Sequence, residues 1–245
     1  MSVEVKGVIL AGGRGTRLRP ITKIINKNLL LVYNKPLIDY PIRTLRDAGV
    51  KNILIVCSPE NVEQYVKLLG VGDELGVNLS YTIQPQPMGI AHGLGLARHF
   101  SGNDKIALIL GDNIFGDNFK KAINRFKKTK TGAMFFLKEV KDPHRFGVAE
   151  LSKNNKKIIN IIEKPLKPKS RFAVTGLYLY DNRVFKIINT LKLSNRGEYE
   201  ITDVNNFYVK EGTSYFFKTN KFWIDAGTFD SLLEAGNLIA KNSKN

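Results

Sequence analysis

The chain has 245 residues, 43% of them hydrophobic and 24% charged. That balance excludes a disordered or fibrous chain and allows one large domain or two small ones with a substantial core. Its 38 Lys and Arg against 22 Asp and Glu leave a net charge of +16. The lysines are spread over Lys120–Lys130, Lys153–Lys157 and Lys164–Lys169, with neither a continuous basic arm nor a zinc-finger or ribonucleoprotein motif. A solvated surface or small phosphate-bearing substrates therefore suit the charge better than nucleic acid.

Val5–Ala11 reads as a buried strand, followed by a polar loop and a helix near Leu37–Ala48. Asn52–Cys57 is a second strand with the helix Pro59–Leu69 after it. Leu79–Gln84 leads to a helix over Gly89–His99, and Lys105–Leu110 ends at Gly111-Asp112-Asn113. Strands alternating with helices of this length predict a parallel sheet covered on both faces, with sites beyond the carboxyl ends of the strands. After Ala133 the pattern changes. Ala133–Val140, Phe146–Leu151, Ile158–Glu163 and Ala173–Tyr180 are strand-like with little room for helices between them, which predicts a more antiparallel part packing against the first sheet. Helical patterns return at Asn182–Leu191, Ile201–Glu211 and Phe229–Lys241. Without an internal repeat or a low-complexity linker, a single domain is expected, with regions over about 1–132 and 133–245.

No apolar run approaches the roughly 20 residues needed to cross a bilayer, and the N-terminus lacks the pattern of a secretory leader. The lone Cys57, inside an apolar run, allows no internal disulfide. A cytoplasmic protein without membrane association is the expectation.

The first chemical signal is Leu10-Ala11-Gly12-Gly13-Arg14-Gly15-Thr16-Arg17. Glycines just past a buried strand let the backbone approach a ligand, so that amide hydrogens face phosphate oxygens. Arg17 adds a planar, permanent cation. The spacing matches neither G-x-G-x-x-G nor G-x-x-x-x-G-K-[ST], which argues against the dinucleotide-binding and P-loop classes.

Other motifs give this loop its meaning. The run from Gly12 to Pro41, with Arg17, Lys27, Leu29-Leu30 and Lys35-Pro36, is followed by Gln84 and Leu110-Gly111-Asp112-Asn113. Arg145-Phe146-Gly147, Glu163-Lys164-Pro165 and Val174-Thr175-Gly176-Leu177-Tyr178 come next. Gly197-Glu198-Tyr199-Glu200-Ile201-Thr202-Asp203 and Asp225-Ala226-Gly227-Thr228 complete the series. In this order, over almost the whole chain, they resemble the sugar-phosphate nucleotidyltransferases.

The resemblance implies an α/β, Rossmann-like fold with a mixed, mainly parallel central sheet flanked by helices and a smaller β-rich sugar-binding region. Within the family it points to the branch using dTTP (or UTP) and glucose 1-phosphate, with Mg²⁺ as cofactor and a homo-oligomer, often a tetramer. The reaction implied is direct attack of the sugar phosphate on the α-phosphorus, in which positioning and electrostatics carry the catalysis. Asp112 and Asp225 match the magnesium ligands. Arg17 and Lys27 would hold the triphosphate and the departing pyrophosphate, and Lys164 the sugar phosphate. Leu10, Ala11, Gly12, Gly13, Gly15, Thr16, Gln84, Gly89 and Asp112 match nucleotide contacts; Gln84 can both donate to and accept from a pyrimidine edge, and Gly89 would let the flat base lie close. Asn113, Gly147, Glu163 and Val174 match sugar contacts, and Tyr178 a wall of the pocket.

Four positions depart from the family pattern: Asn28 where glutamine is usual, Leu31 where proline is usual, and Met88 and His92 beside Gly89. His92, His99 and His144 have no metal-ligand spacing, and His92 reads as an ordinary helix residue. The chain stops soon after its final helix, so the resemblance brings no expectation of a product-regulatory site built on a longer C-terminal segment. Three rival readings are uridylyl transfer to glucose or a related sugar 1-phosphate, a non-catalytic nucleotide-sugar sensor on the same fold, and nucleic-acid binding.

Overall fold

A computed structural model describes residues 3–243. Strand β1 (Val5–Leu10) enters the glycine-rich turn, and a small hairpin of β2 (Leu31–Val32) and β3 (Lys35–Pro36) leads to helix α1 (Asp39–Asp47). Then come β4 (Asn52–Cys57), α2 (Val62–Leu69), β5 (Asn78–Ile83), the short helices α3 (Ile90–Gly95) and α4 (Arg98–Ser101), and β6 (Lys105–Leu110). A short β7 (Asn113–Phe115) and α5 (Lys120–Lys127) precede β8 (Ala133–Glu139), β9 (Gly147–Leu151), β10 (Ile158–Glu163) and β11 (Phe172–Tyr180). The chain closes with α6 (Val184–Ile188), α7 (Ile201–Glu211), β12 (Ser214–Lys218), β13 (Trp223–Asp225) and α8 (Phe229–Asn242).

The first-half strands read as continuous apolar runs because both faces of the sheet are covered. Ile9, Ile53 and Ile55 point to one face, against Ile42 and Leu45 of α1, Tyr65 of α2 and Phe126 of α5. Their neighbours Val8, Leu54 and Val56 point to the other, against Leu94 of α3, Phe185 of α6 and Tyr208 of α7. Burying each such side chain contributes roughly 1.5–3 kcal/mol. Gly7 permits the close approach of α1, since a Cβ there would lie 2.8 Å from Leu45 Cδ1.

Nine strands form one sheet, ordered β10-β9-β11-β6-β1-β4-β5, with β8 also on β11 and β12 beyond β8. β1 is parallel to β4 and β6, and β4 to β5, while β11 runs antiparallel to β6, β8 and β9. The expectation that the later strands pack against the first sheet is corrected: they extend it edge to edge. The buried edge of β6 needs partners for its backbone groups, and β11, apolar and buried along its length, supplies them where face-to-face packing would not.

Three further differences from the predicted elements have local causes. The Gly89–His99 helix is two short pieces, weakened by Gly93 and Gly95. The first turn of the Pro59–Leu69 helix is a 3-10 turn, Pro59–Asn61. The aromatic run in β12, not foreseen as a strand, pairs parallel to β8.

Lys105, only 4% exposed, shows how α5 is held. Its ammonium donates to the carbonyls of Phe126 (2.8 Å) and Lys127 (3.1 Å) and to Thr129 Oγ1 (3.1 Å), meeting the carbonyl end of the helix dipole. Burial lowers its pKa. Lys105→Met would orphan those acceptors and should cost about 2–3 kcal/mol of stability, read as a lower urea midpoint at unchanged m-value.

Candidate active site

The strand order reverses beside β1, whose neighbours β4 and β6 lie on opposite sides, and the site opens at the carboxyl ends of β1 and β6. Gly111 N donates to Leu10 O at 2.9 Å, closing the ends of the two strands together. On the β1 side, the carbonyl of Ala11 accepts from Asn28 Nδ2 (3.2 Å), and Tyr65 Oη, 3.3 Å from the same carbonyl, donates its proton to Asn26 Oδ1 at 2.8 Å. This buried network anchors the base of the glycine-rich turn. Sequence reasoning missed Asn26 and Tyr65 and saw Asn28 only as a departure. Leu31 lies 68% exposed in the hairpin, outside the site.

Gly12 is buried and Gly13 exposed, and Gly15 takes a left-handed φ of 58°. Arg17 crosses from this turn to the far wall, with its guanidinium 4.0 Å from Asp225 Oδ2. The Gly227 of Asp225-Ala226-Gly227-Thr228 makes this approach possible, since a Cβ there would lie 2.6 Å from Arg17 Nη2.

On the β6 side, Asp112 lies one glycine past the strand and β13 brings Asp225 next to it: Ala226 N donates to Asp112 O at 2.8 Å, and Asp225 pairs with Asn113 across β7 and β13. Lys27 Nζ donates to Asp112 Oδ2 and Asn113 Nδ2 to Oδ1. Burial opposes the Asp112 charge, but the Lys27 ammonium and these hydrogen bonds outweigh it and hold the carboxyl below its usual range. Among the described residues, no hydrogen bond reaches the Asp225 carboxylate. Burial first, and the Asp112 charge second, push its pKa up to about 6, against the pull of Lys27, Arg17 and Arg145.

Two adjoining carboxylates of this kind fit a divalent cation, whose charge would offset their repulsion. No group of three or more His, Cys, Asp or Glu side chains able to hold a metal occurs among the described residues. Asp112 and Asp225 together could supply one or two carboxylate ligands to a hard divalent cation, with phosphate oxygens and water completing its shell.

A cleft of about 550 Å³ runs from Thr16 and Arg17 past Asp112 and Asp225 to Gly147, Glu163, Lys164, Val174 and Tyr178. It opens where β11 forks: Tyr178 pairs with Leu108 of β6, whereas Ala173 pairs with Val148 of β9. Glu163 Oε2 accepts from Thr202 Oγ1 at 2.6 Å, and its Oε1 lies 3.7 Å from Arg196 and 3.9 Å from Lys164. Lys164 sits at a left-handed φ of 43°, a strained conformation for a lysine at the rim of a site. Burial first, then the nearby carboxylates, keep the Tyr178 hydroxyl protonated; it stacks on Tyr180 at 6.0 Å.

Asn113, expected to touch sugar, is engaged within the protein. Its Oδ1 accepts from Gly176 N (3.0 Å) and Trp223 Nε1 (2.6 Å) and its Nδ2 faces Asp112, so it ties β7, β11 and β13 together. Gly89, expected to admit a flat base, has a second constraint: at φ 100° a Cβ would lie 2.6 Å from Tyr199 O. Gly12, Gly13 and Gln84 line an adjoining cleft of about 330 Å³ with Pro85 and Pro87. Arg145, Arg196, Thr202 and Trp223 also line the larger cleft, and no role was read for them from sequence. Arg196 was legible as a cation next to Gly197-Glu198, but only folding brings it to Glu163.

A doubly covered α/β sheet with a glycine-rich turn, a pair of carboxylates and converging cations defines a transferase acting on phosphorylated nucleotides. The chain belongs to the nucleotidyl transferase family, whose profile matches residues 6–242. It is 45% identical over 238 residues to a glucose-1-phosphate thymidylyltransferase of Neisseria meningitidis, covering 96% of this chain and 82% of that protein. A solved Bacillus anthracis chain, assigned as a glucose-1-phosphate thymidylyltransferase and bound to sucrose, superposes with a TM-score of 0.91 at 47% identity, covering 96% of this chain and 94% of that one. A UDP-glucose pyrophosphorylase complexed with UDP-glucose superposes at 0.83 with 26% identity, covering 98% and 99%.

Proposed function

We propose that this chain transfers a thymidylyl group from dTTP to α-D-glucose 1-phosphate, releasing pyrophosphate and dTDP-glucose. The observation that carries the reading is the Asp112–Asp225 pair in one cleft with the cations Arg17, Lys164 and Arg196. Similarity of 44–46% identity over 96% of the chain to glucose-1-phosphate thymidylyltransferases supports the choice of substrates.

The Gly12–Arg17 turn and Lys27 hold the triphosphate, with Arg17 and Lys27 meeting the charge that grows on the departing pyrophosphate. Lys164 and Arg196 hold the sugar phosphate, and Glu163 and Gly147 line the sugar end. An oxygen of glucose 1-phosphate forms a bond to the α-phosphorus while the bond to the bridging oxygen of pyrophosphate breaks in line. No protein nucleophile and no proton transfer are required, so alignment of two anions within a cationic cleft is the protein's work. Mg²⁺ held by Asp112 and Asp225 would supply Lewis-acid neutralisation of the phosphate charge.

Incubation with Mg²⁺, several sugar 1-phosphates and competing dTTP, UTP, dCTP and ATP, read by product mass, tests this directly. Formation of dTDP-glucose above all other products is expected; a purine product, or no product together with tight dTDP-glucose binding, overturns it. The UDP-glucose pyrophosphorylase likeness favours uridylyl transfer as a second reading, since a methyl group in a pocket discriminates only about 10- to 200-fold. Predominant UDP-glucose would establish that alternative.

Arg196→Ala should raise the KM for glucose 1-phosphate by about 10- to 100-fold while leaving the KM for dTTP within about twofold, as expected for one charge-assisted phosphate contact. Initial-rate kinetics in both substrates check it. A homo-oligomer, with a tetramer expected, and a cytoplasmic location accompany this reading; light scattering checks the former. No helix is long and apolar enough to cross a membrane among the described residues.

A further inference from the structure

The histidine read from sequence as an ordinary helix residue stands against the side chain expected to meet the base. Gln84, only 7% exposed, closes β5 with its backbone N donating to Cys57 O at 2.8 Å. Its Nε2 lies 2.9 Å from Nδ1 of His92 on α3. The opposite end of the carboxamide faces glycine: Oε1 is 3.2 Å from where a Cβ on Gly12 would stand and 3.4 Å from one on Gly93. No hydrogen bond to Oε1 is made among the described residues.

Beyond Gln84, the His92 ring has an aromatic neighbour. It stacks on Tyr199 at 6.3 Å with the planes 27° apart. Tyr199 is in turn clamped to the α3 entry, its N donating to Met88 O at 2.9 Å and its O accepting from Ala91 N at 3.3 Å. The backbone that carries His92 is therefore tied to the segment that carries Arg196 and Glu198.

We propose that His92 is a positioning residue that sets which end of the Gln84 carboxamide faces the nucleotide, and so selects bases that carry a hydrogen on N3. This rests on the reading of Gln84 as the base contact. A neutral imidazole with its proton on Nε2 offers Nδ1 only as an acceptor. It takes one hydrogen of Gln84 Nε2 and leaves Oε1 and the second Nε2 hydrogen for the ligand. That acceptor–donor pair matches the N3–H and adjoining carbonyl of thymine or uracil. Cytosine presents a lone pair at N3 beside an amino group, so both contacts would oppose like with like. A carboxamide free to turn over would accept either base; a tethered one penalises the mismatch, and rejection of a polar mismatch is stronger than rejection of a missing methyl.

The test is the ratio of kcat/KM for dTTP over dCTP, with glucose 1-phosphate and Mg²⁺ saturating, in wild type, His92→Leu, His92→Gln and Gln84→Met. His92→Leu should lower the ratio about tenfold or more, through a higher KM for dTTP and a lower KM for dCTP rather than through kcat. His92→Gln, whose carbonyl accepts the same hydrogen bond, should restore it to within about threefold of wild type. A His92→Leu enzyme with wild-type ratio and KM values overturns the proposal, as does a His92→Gln enzyme that falls as far as His92→Leu. The Gln84→Met enzyme separates the two levels. If it loses discrimination while His92→Leu keeps it, only the role of His92 falls; if it keeps discrimination, the reading of Gln84 falls and the proposal with it.

Discussion

Asp225→Asn should lose about a thousandfold in turnover with Mg²⁺ and yet melt at a higher temperature than the wild-type chain when both are stripped of metal. The two effects share one cause. Asp225 is held beside Asp112 in a buried setting that raises its pKa from 3.8 to about 6. A carboxyl whose folded pKa lies above its unfolded value makes the fold less stable once ionised. The penalty is absent below about pH 3.8, grows between pH 3.8 and 6, and is complete above 6, where it amounts to a cost on the order of 3 kcal/mol. The amide carries no charge and escapes it. Melting curves in chelator from pH 4 to 8 should therefore show the variant ahead by several degrees at pH 7–8, with the gap closing toward pH 4. A variant that melts lower throughout would make Asp225 a structural residue and remove the reason for placing a cation there.

The Lys27–Asp112 pair should behave in the opposite way. Both side chains are largely buried, at 15% and 10% exposed, and removing one partner leaves the other charge without compensation. Lys27→Met should cost about 3–5 kcal/mol in stability and on the order of a hundredfold in turnover. The double variant Lys27→Met/Asp112→Asn should regain most of the stability, because no buried charge is left unpaired, and none of the activity. Urea denaturation of the four proteins in the double-mutant cycle gives the coupling directly. Additive losses would show that the ion pair has no energetic part in the fold, leaving Lys27 to phosphate binding alone.

Much of the frame was legible because it depends on local pattern. The strands Asn52–Cys57, Lys105–Leu110 and Ile158–Glu163 and the helix Ile201–Glu211 have the bounds their apolar runs indicate. The glycine-rich turn followed a buried strand, as its composition required. The short β7 and β13 were not legible: three residues each carry no periodicity, and they exist because Asn113 and Trp223 meet across 110 positions of chain. The joining of the second half to the first sheet was missed for a related reason. Alternation and composition tell that a segment is a strand, but not which edge it pairs with.

The same division runs through the site. Sequence alone determined the residue types that chemistry on phosphates requires, the order of the motifs and, through them, the family. It could not say that the Asn113 amide is spent on Gly176, Trp223 and Asp112, that Gly227 is small so Arg17 can lie against it, or that His92 reaches Gln84. Those facts depend on distances between segments far apart in the chain, and charge is no different. Asp112 and Asp225 are the same residue type, yet one carboxyl is pushed down and the other up. Only the tertiary structure gave Lys27 to the first and left the second facing it, because ionisation responds to the charges and burial that folding brings around a group, not to its neighbours in sequence.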